Sequence, residues 1–380
     1  IRLSKTRWQR NKEMHHLSSG YLKKIKPYLT SLSNAEYEKL ITDHDDAILY
    51  LEKHLGKNPK MTRWIVQSIG HYIYSNSKEN FYVDYQKVSL TDDITYWCFQ
   101  PPAGGCVHLF QTPQGKLLID CGYGANYDDW CRILLEFNLG DFSDTRRLLI
   151  THGDADHCGM SGLIPCAAYM HPVTKKLLED GSRGFAAVND YPELVRTYTT
   201  GINVISKLSL PKKIQTSPTE KIGTRGEFPV IDTIDFCGLH FEVWESKGGH
   251  LAGQLFYYEP NFGLLFTSDC FLNPASITKP RKEFGSIPDY LITSVNINSR
   301  LAAEERKSLL QTAHLLDSKL KAEGKRLRLC CGHGAVSGFD EEGKVRIADS
   351  VTHFSYRPKG IEGLIHAGMK LSRIVKEKTA

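Results

Sequence analysis

The chain has 380 residues, 41% of them hydrophobic and 24% charged, enough apolar mass for one large domain or two ordinary ones. No run approaches the ~18 consecutive apolar residues of a membrane span, and no segment near Ile1 reads as a signal peptide. The net charge is +5, but residues 1–26 carry eight Lys or Arg against Glu13 alone, so the rest is slightly acidic and offers no basic face for nucleic acid.

In chain order, residues 34–55 read as an amphipathic helix. Tyr37, Leu40, Ile41, Ile48, Leu51 and Leu55 recur mostly at three- and four-residue steps behind a capping Asn34. Residues 61–74 predict a second helix with Trp64, Ile65, Ile69 and Ile73 inward, and the polar 75–90 reads as a connection. The texture then turns strand-rich, so the chain divides into a mainly helical 1–88 and a second domain over 89–380. CVHLF and KLLIDCG, separated by QTPQG, predict a hairpin of buried strands. Residues 126–138 predict a helix, Leu148 to Ile150 a short strand, and AAYMHP with VTKKLLED a further strand and helix.

Residues 181–229 read mostly as surface loop, with a helix near 191–206. Strands resume in IDTIDFCGLHFEVWES, GQLFYYEP and GLLFTSD, the last two joined by a turn at Asn261-Phe262-Gly263. A helix over 302–323 and the strand LRLCCG follow. This order predicts an α/β fold of two sheets between layers of helices. Ten cysteines are scattered with no Cys-x-x-Cys pair, the usage of a reduced, cytoplasmic protein without a disulfide framework.

The chemistry concentrates at THGDADH. His152, Asp154, Asp156 and His157 lie within six residues, on the loop that leaves the Leu148–Ile150 strand. Imidazole nitrogens and carboxylate oxygens bind zinc, manganese or iron. In a tight turn 152, 154 and 156 can face one side and 157 the other, so one loop could feed two ions. Two ions need roughly six to eight ligands, so distant residues must help. His250 in GGHLAGQ, Asp269 ending GLLFTSD and His333 in CCGHGA each sit at a strand end or beside glycine. No Gly-x-Ser-x-Gly elbow, dinucleotide fingerprint, P-loop or His-Glu-x-x-His competes with them.

With these residues in place, the chain over about 90–335 resembles the metallo-β-lactamase superfamily. The family's first motif is His-x-His-x-Asp-His; here it stands as His152-Gly-Asp154-Ala-Asp156-His157. Gly-Gly-His250-Leu-Ala-Gly, Thr-Ser-Asp269, Gly-His333-Gly and the early Leu-Leu-Ile-Asp120-Cys-Gly match its later and earlier segments. The resemblance implies an αββα four-layer sandwich with two divalent metal ions at one edge. By position, one ion would take His152, Asp154 and His250, the other Asp156, His157 and His333, and Asp269 would bridge them.

Asp154 stands where the family has histidine. A carboxylate makes the set harder and more negative, which favours iron or manganese over zinc. Two mechanisms stay open. In a hydrolase, a hydroxide generated at the metals would attack an ester, thioester, lactone or phosphodiester, with Asp156 or Asp269 taking a proton. In a diiron redox enzyme, an oxygenase or a reductase of oxygen or nitric oxide, the same site would handle electrons. The flavin domain of the family's flavodiiron members has too little chain for it after His333, which favours hydrolysis. A binding or regulatory protein with a degenerate site is a third class.

Tyr123, Asn126 and Tyr127, in the loop after Asp120, are candidate substrate contacts. The basic segment with Arg183, Arg196, Lys207, Lys212, Lys213, Lys221 and Arg225 suits an anionic small-molecule or carrier-linked substrate. The helical start leaves three roles open: covering a sheet edge, a homodimer contact, or docking a carrier.

Overall fold

The computed structural model describes residues 33–35, 38, 53, 60–188, 192–292 and 294–356. The basic start lies outside them, and so does most of the helix expected over 34–55. No helix among the described residues is long and apolar enough to cross a membrane.

The apolar runs pair into two eight-stranded sheets. The first takes β1 (Tyr82–Ser89), β2 (Thr95–Gln100), β3 (Val107–Thr112), β4 (Gly115–Ile119), β5 (Thr145–Leu149), β6 (Ala168–Met170) and β7 (Ile214–Thr216) as neighbours in chain order. The second takes β8 (Gly223–Arg225), β9 (Phe228–Phe236), β10 (Leu239–Glu245), β11 (Leu255–Glu259), β12 (Leu264–Ser268), β13 (Arg328–Cys331), β14 (Ser337–Phe339) and β15 (Val345–Ile347), again in chain order. The last strand, β16 (Thr352–Ser355), returns to the first sheet and pairs antiparallel with β1.

Hairpin-linked strands are antiparallel; β4 to β7, and β12 with β13, are parallel. Parallel neighbours need a crossover, and the helices supply it. The helix α1 (Lys60–Ser75) precedes β1; those in the crossovers are α2 (Tyr127–Glu136), α3 (Ala155–Cys158), α4 (Pro172–Asp180), α5 (Pro192–Ile205), α6 (Lys279–Gly285) and α7 (Ser299–Ala322).

Side chains alternate across each strand, so each sheet carries two apolar faces. Tyr96, Phe110, Leu117 and Leu149 of the first sheet meet Phe241, Leu255, Tyr257 and Phe266 of the second in a shared core. The opposite face of the first sheet, with Trp97, Phe99, Leu118 and Leu148, packs under Trp130, Ile133 and Leu134 of α2 and Leu178 of α4. The outer face of the second, with Trp244, Phe256, Leu265 and Leu329, packs under Leu309, Ala313, Leu316 and Leu320 of α7. The layers are therefore helix, sheet, sheet, helix, the αββα sandwich expected from the sequence.

Phe266 is fully buried at the middle of the shared core, edge-on to Tyr96 and His108 at ring distances of 5.8 and 5.1 Å. Phe266→Ala is expected to cost about 3–5 kcal/mol, read as a lower urea midpoint with an unchanged slope. His108 is buried beside it. Its Nε2 lies 3.2 Å from the Cys331 carbonyl and its Nδ1 2.8 Å from the Tyr96 hydroxyl. An Nε2–H donor leaves Nδ1 to accept from Tyr96, so the ring is neutral. Burial pushes its pKa down to about 4. The unfolded chain takes that proton near pH ~6.5. Stability is therefore expected to fall as pH drops from about 6.5 towards about 4, by at most ~1.4 kcal/mol per pH unit. Urea titrations at pH 7 and 5 should show a smaller difference in H108Q than in the native protein; an equal difference would assign the loss to other groups.

The helix expected over 61–74 is α1, and Ile65, Ile69 and Ile73 are buried as expected. They pack with Ala103, Tyr123, Ala155 and Ile202, so α1 lies over the loop that carries the histidine motif. The connection expected over 75–90 is corrected: residues 82–89 are β1, paired on both sides. The division at 88/89 falls inside this strand. Its two buried polar side chains, Asp84 and Gln86, are satisfied by distant partners. Asp84 meets Arg281 and His353, and Gln86 bonds Val336 and the Asp349 carbonyl.

Candidate metal centre

Five strand ends from both sheets meet at one edge. β4 leads into Asp120, β5 into His152 and α3, β10 towards His250, β12 into Asp269 and β13 into His333. Asp120 has a left-handed φ of 58°. The turn aims its carboxylate at the neighbouring loop, where it accepts from the Thr151 amide and hydroxyl at 2.8 and 2.7 Å and from His157 Nδ1 at 2.7 Å. The single turn α3 then sets Asp154 at its start and Asp156 and His157 within it.

The outer contacts decide which nitrogen of each ring points inward. The Thr151 hydroxyl spends its proton on Asp120, and the Ser268 hydroxyl spends its own on Gln254. Both oxygens therefore accept from His152 Nδ1–H, at 2.9 and 3.0 Å. His250 Nδ1 lies 3.0 Å from Asn296 Oδ1, and His157 Nδ1 is taken by Asp120. With Nδ1 engaged outside, Nε2 is the nitrogen left to face a cation. This is how carboxylates and hydroxyls orient metal-binding imidazoles.

Inside, the donors crowd together. His157 Nε2 is 3.2 Å from Asp269 Oδ1 and 3.7 Å from Asp156 Oδ2. His333 Nε2 is 3.3 Å from both Asp156 and Asp269. His250 Nε2 is 3.6 Å from Asp269 Oδ2 and 3.2 Å from Asp154 Oδ2. His152, His250 and Asp269 form one set whose donor atoms lie within 4.8 Å of one another; Asp156, His157 and His333 form a second. Three buried atoms at this point, His152 Nε2, His157 Nε2 and Asp269 Oδ1, have no hydrogen-bond partner. Buried polar atoms left without a partner are rare, and these suit a cation in number, chemistry and placement.

The charges agree. Burial works against a proton on His157 and His333, yet the carboxylates of Asp269 and Asp156 overcome it. His157 is pushed well above the ordinary imidazole value and His333 to about 10. The cluster attracts positive charge strongly enough to hold protons there, and a metal cation would take their place. Glycines make the room. A Cβ on Gly332 would collide with the Asp269 carboxylate and the Ser268 carbonyl, and one on Gly105 with the His157 ring.

Asp154 is the exception. The Arg183 guanidinium grips both its oxygens, Nε to Oδ1 and Nη2 to Oδ2 at 2.8 Å each, and also donates to the Val295 carbonyl at 2.7 Å. Burial alone would raise the Asp154 pKa, but the Arg183 charge together with the His152 and His250 contacts holds the carboxyl well below its usual range. In the sequence Arg183 is only one cation of a basic loop. Of those cations it is the one that lines the cavity among the described residues.

Tyr123 borders the cavity as expected. Asn126 and Tyr127 do not. The Asn126 amide donates to Asp129 at 3.1 Å, and the Tyr127 ring packs on Phe142 at 5.6 Å, on the far side of the turn. Asp120, Ser268 and Gln254 stand inside the quoted motifs and Asn296 outside them, but nothing in the sequence marks any of the four as an orienting group. Cys158, Cys270, Cys330 and Cys331 are buried free thiols, as expected of packing residues.

No protein-family model matches the chain, and no curated protein does. Solved structures of similar shape include Rm3 metallo-β-lactamase at 13% identity, covering 70% of this chain and 81% of that one with a TM-score of 0.39. The metallo-β-lactamase from Pontibacter korlensis is similar at 13% identity, covering 68% and 94% with a TM-score of 0.36. A chemotaxis sensor ODP, solved as a peroxy diiron species, is similar at 11% identity, covering 68% and 90% with a TM-score of 0.37. These likenesses leave metal and substrate undecided.

Proposed function

We propose that the protein is a dinuclear metal-dependent hydrolase of an ester, thioester, lactone or phosphodiester. The observation that carries this reading is the pair of donor sets sharing one edge, with three of their buried atoms unpartnered. His152 and His250 would hold one ion with Asp154 beside them. Asp156, His157 and His333 would hold the other, and Asp269 would lie between. Bound there, divalent metals would supply Lewis acidity and lower the pKa of water.

The chain's own residues do the rest. Asp120, Thr151, Ser268 and Asn296 fix the rings. Asp156 or Asp269 takes a proton from the attacking water and returns it to the leaving group. Tyr123 and α1 cover the approach and limit bulk water.

A diiron redox centre would draw on the extra negative charge of Asp154 for its harder ligand set. Arg183 offsets that charge, which weakens the case for iron.

The test is elemental analysis of protein purified without chelators and supplied with zinc, manganese and iron, alongside turnover of p-nitrophenyl acetate, an acyl thioester and bis(p-nitrophenyl) phosphate. About two zinc or manganese ions per chain and chelator-sensitive turnover are expected. About two irons with oxygen consumption and no hydrolysis would establish the redox reading instead.

A further inference from the structure

A cavity of about 650 Å³ opens on the centre, within the ~300–1,000 Å³ that takes a drug-sized molecule. Asp154, Asp156, His250, Asp269 and His333 form its floor. Its walls include Ile69 of α1, Ile202 of α5, Leu272, Ile277, Phe284 of α6 and Val295. Two arginines also line it, and both are spent. Arg183 is held by Asp154 and the Val295 carbonyl. Arg281 pairs with Asp84 and donates to the Pro101 and Gln100 carbonyls at 2.7 Å each.

Their side chains are only 5% and 9% exposed, so neither can turn towards a ligand without stranding its carboxylate. Lys282 and Asp289 stand in solvent at the rim, with opposite charges that water and salt screen. Among the described residues, the buried walls offer no cation beyond these two paired arginines; Lys282 is exposed at the rim. A charged group buried against the walls, away from the metal positions, would lose its hydration without gaining a partner.

We propose that the substrate is a carboxylic ester, thioester or lactone whose non-reacting part is uncharged and apolar. This rests on the hydrolytic reading above. It replaces the anionic, carrier-linked substrate that the basic segment suggested, because the one segment cation at the cavity already has its counter-ion. In the reaction the water oxygen bonds to the acyl carbon and the acyl C–O or C–S bond breaks. One water proton goes to the leaving alcohol or thiol, and the acid departs as carboxylate with release of the other.

α1 then has a role in this chemistry. It supplies part of the apolar wall through Ile69.

The experiment is calorimetric titration of the metal-loaded full chain with two amides that resist cleavage, neutral N-phenyloctanamide and its anionic analogue 4-(octanoylamino)benzoate. The neutral amide is expected to bind on the order of tenfold more tightly, and Ile202→Trp, which fills the cavity, to weaken it by a similar factor. Octanoate esters should also exceed acetates in kcat/KM. If the anion binds as well as the neutral amide, the proposal is overturned, with or without a folded I202W. Cleavage of short esters without binding of either amide would overturn the cavity's role and leave hydrolysis standing. Binding of the neutral amide with no ester, thioester or lactone cleaved would support the ligand class and remove the hydrolytic reading.

Discussion

Arg183→Leu is expected to destabilise the metal-free protein by about 3–5 kcal/mol, because it strands the buried Asp154 carboxylate. The pair is bidentate, with side chains 5% and 17% exposed, so water cannot replace the guanidinium cheaply. The same change should make stability more sensitive to metal. Asp154 Oδ2 already lies 3.2 Å from His250 Nε2 and 3.6 Å from His152 Nε2. Freed from Arg183, it would turn its full charge on an ion held by those two rings. The rise in Tm on adding zinc should therefore be larger in R183L than in the native protein, since a ligand that binds only the folded state stabilises it according to its affinity. Arg183→Lys keeps the charge and loses the fork, and should fall between them. An R183L protein as stable as the native one, with the same response to zinc, would show that the pair is not what governs Asp154.

This expectation shows what a motif can and cannot report. The gathering of His152, Asp156, His157, His250, Asp269 and His333 was legible because each stands in a short local signature beside a strand end or a glycine. The sandwich was legible because β4, β6, β11 and β12 are short runs buried almost throughout, which suits a doubly covered sheet. Arg183 was not legible as a partner. It lies 29 residues beyond Asp154 in a segment with no periodicity, and only the fold brings the two together. β1 was missed for a related reason. Asp84 and Gln86 look like loop residues until Arg281, His353 and Val336 arrive from far along the chain to satisfy them. Asn126 and Tyr127 were placed near the site by their sequence distance from Asp120, but the turn at 124–126 directs them away from it.

If the dinuclear reading holds, His157→Ala is expected to remove an ion held with Asp156 and His333 and to lower turnover on the order of a thousandfold, the several kcal/mol that a metal supplies to a developing charge. No neighbour can replace the ring. Its Nε2 is the buried donor nearest Asp269 Oδ1, and its Nδ1 is the group that the Asp120 carboxylate holds in place. Without it Asp120, Asp156 and Asp269 face one another with less positive charge between them, so the metal-free variant should also be less stable than the native protein. Asp120→Asn separates orientation from ligation. It keeps the ring and weakens the grip on Nδ1, and should lower metal affinity by about 10–100-fold while leaving a measurable activity. Elemental analysis, chelator competition and turnover of the same ester on all three proteins would place them in the order native, D120N, H157A. If H157A kept both its metal and its turnover, the paired donor sets would have no part in catalysis. The protein would then belong with binding or regulatory proteins that keep the shape of a metal centre without its use.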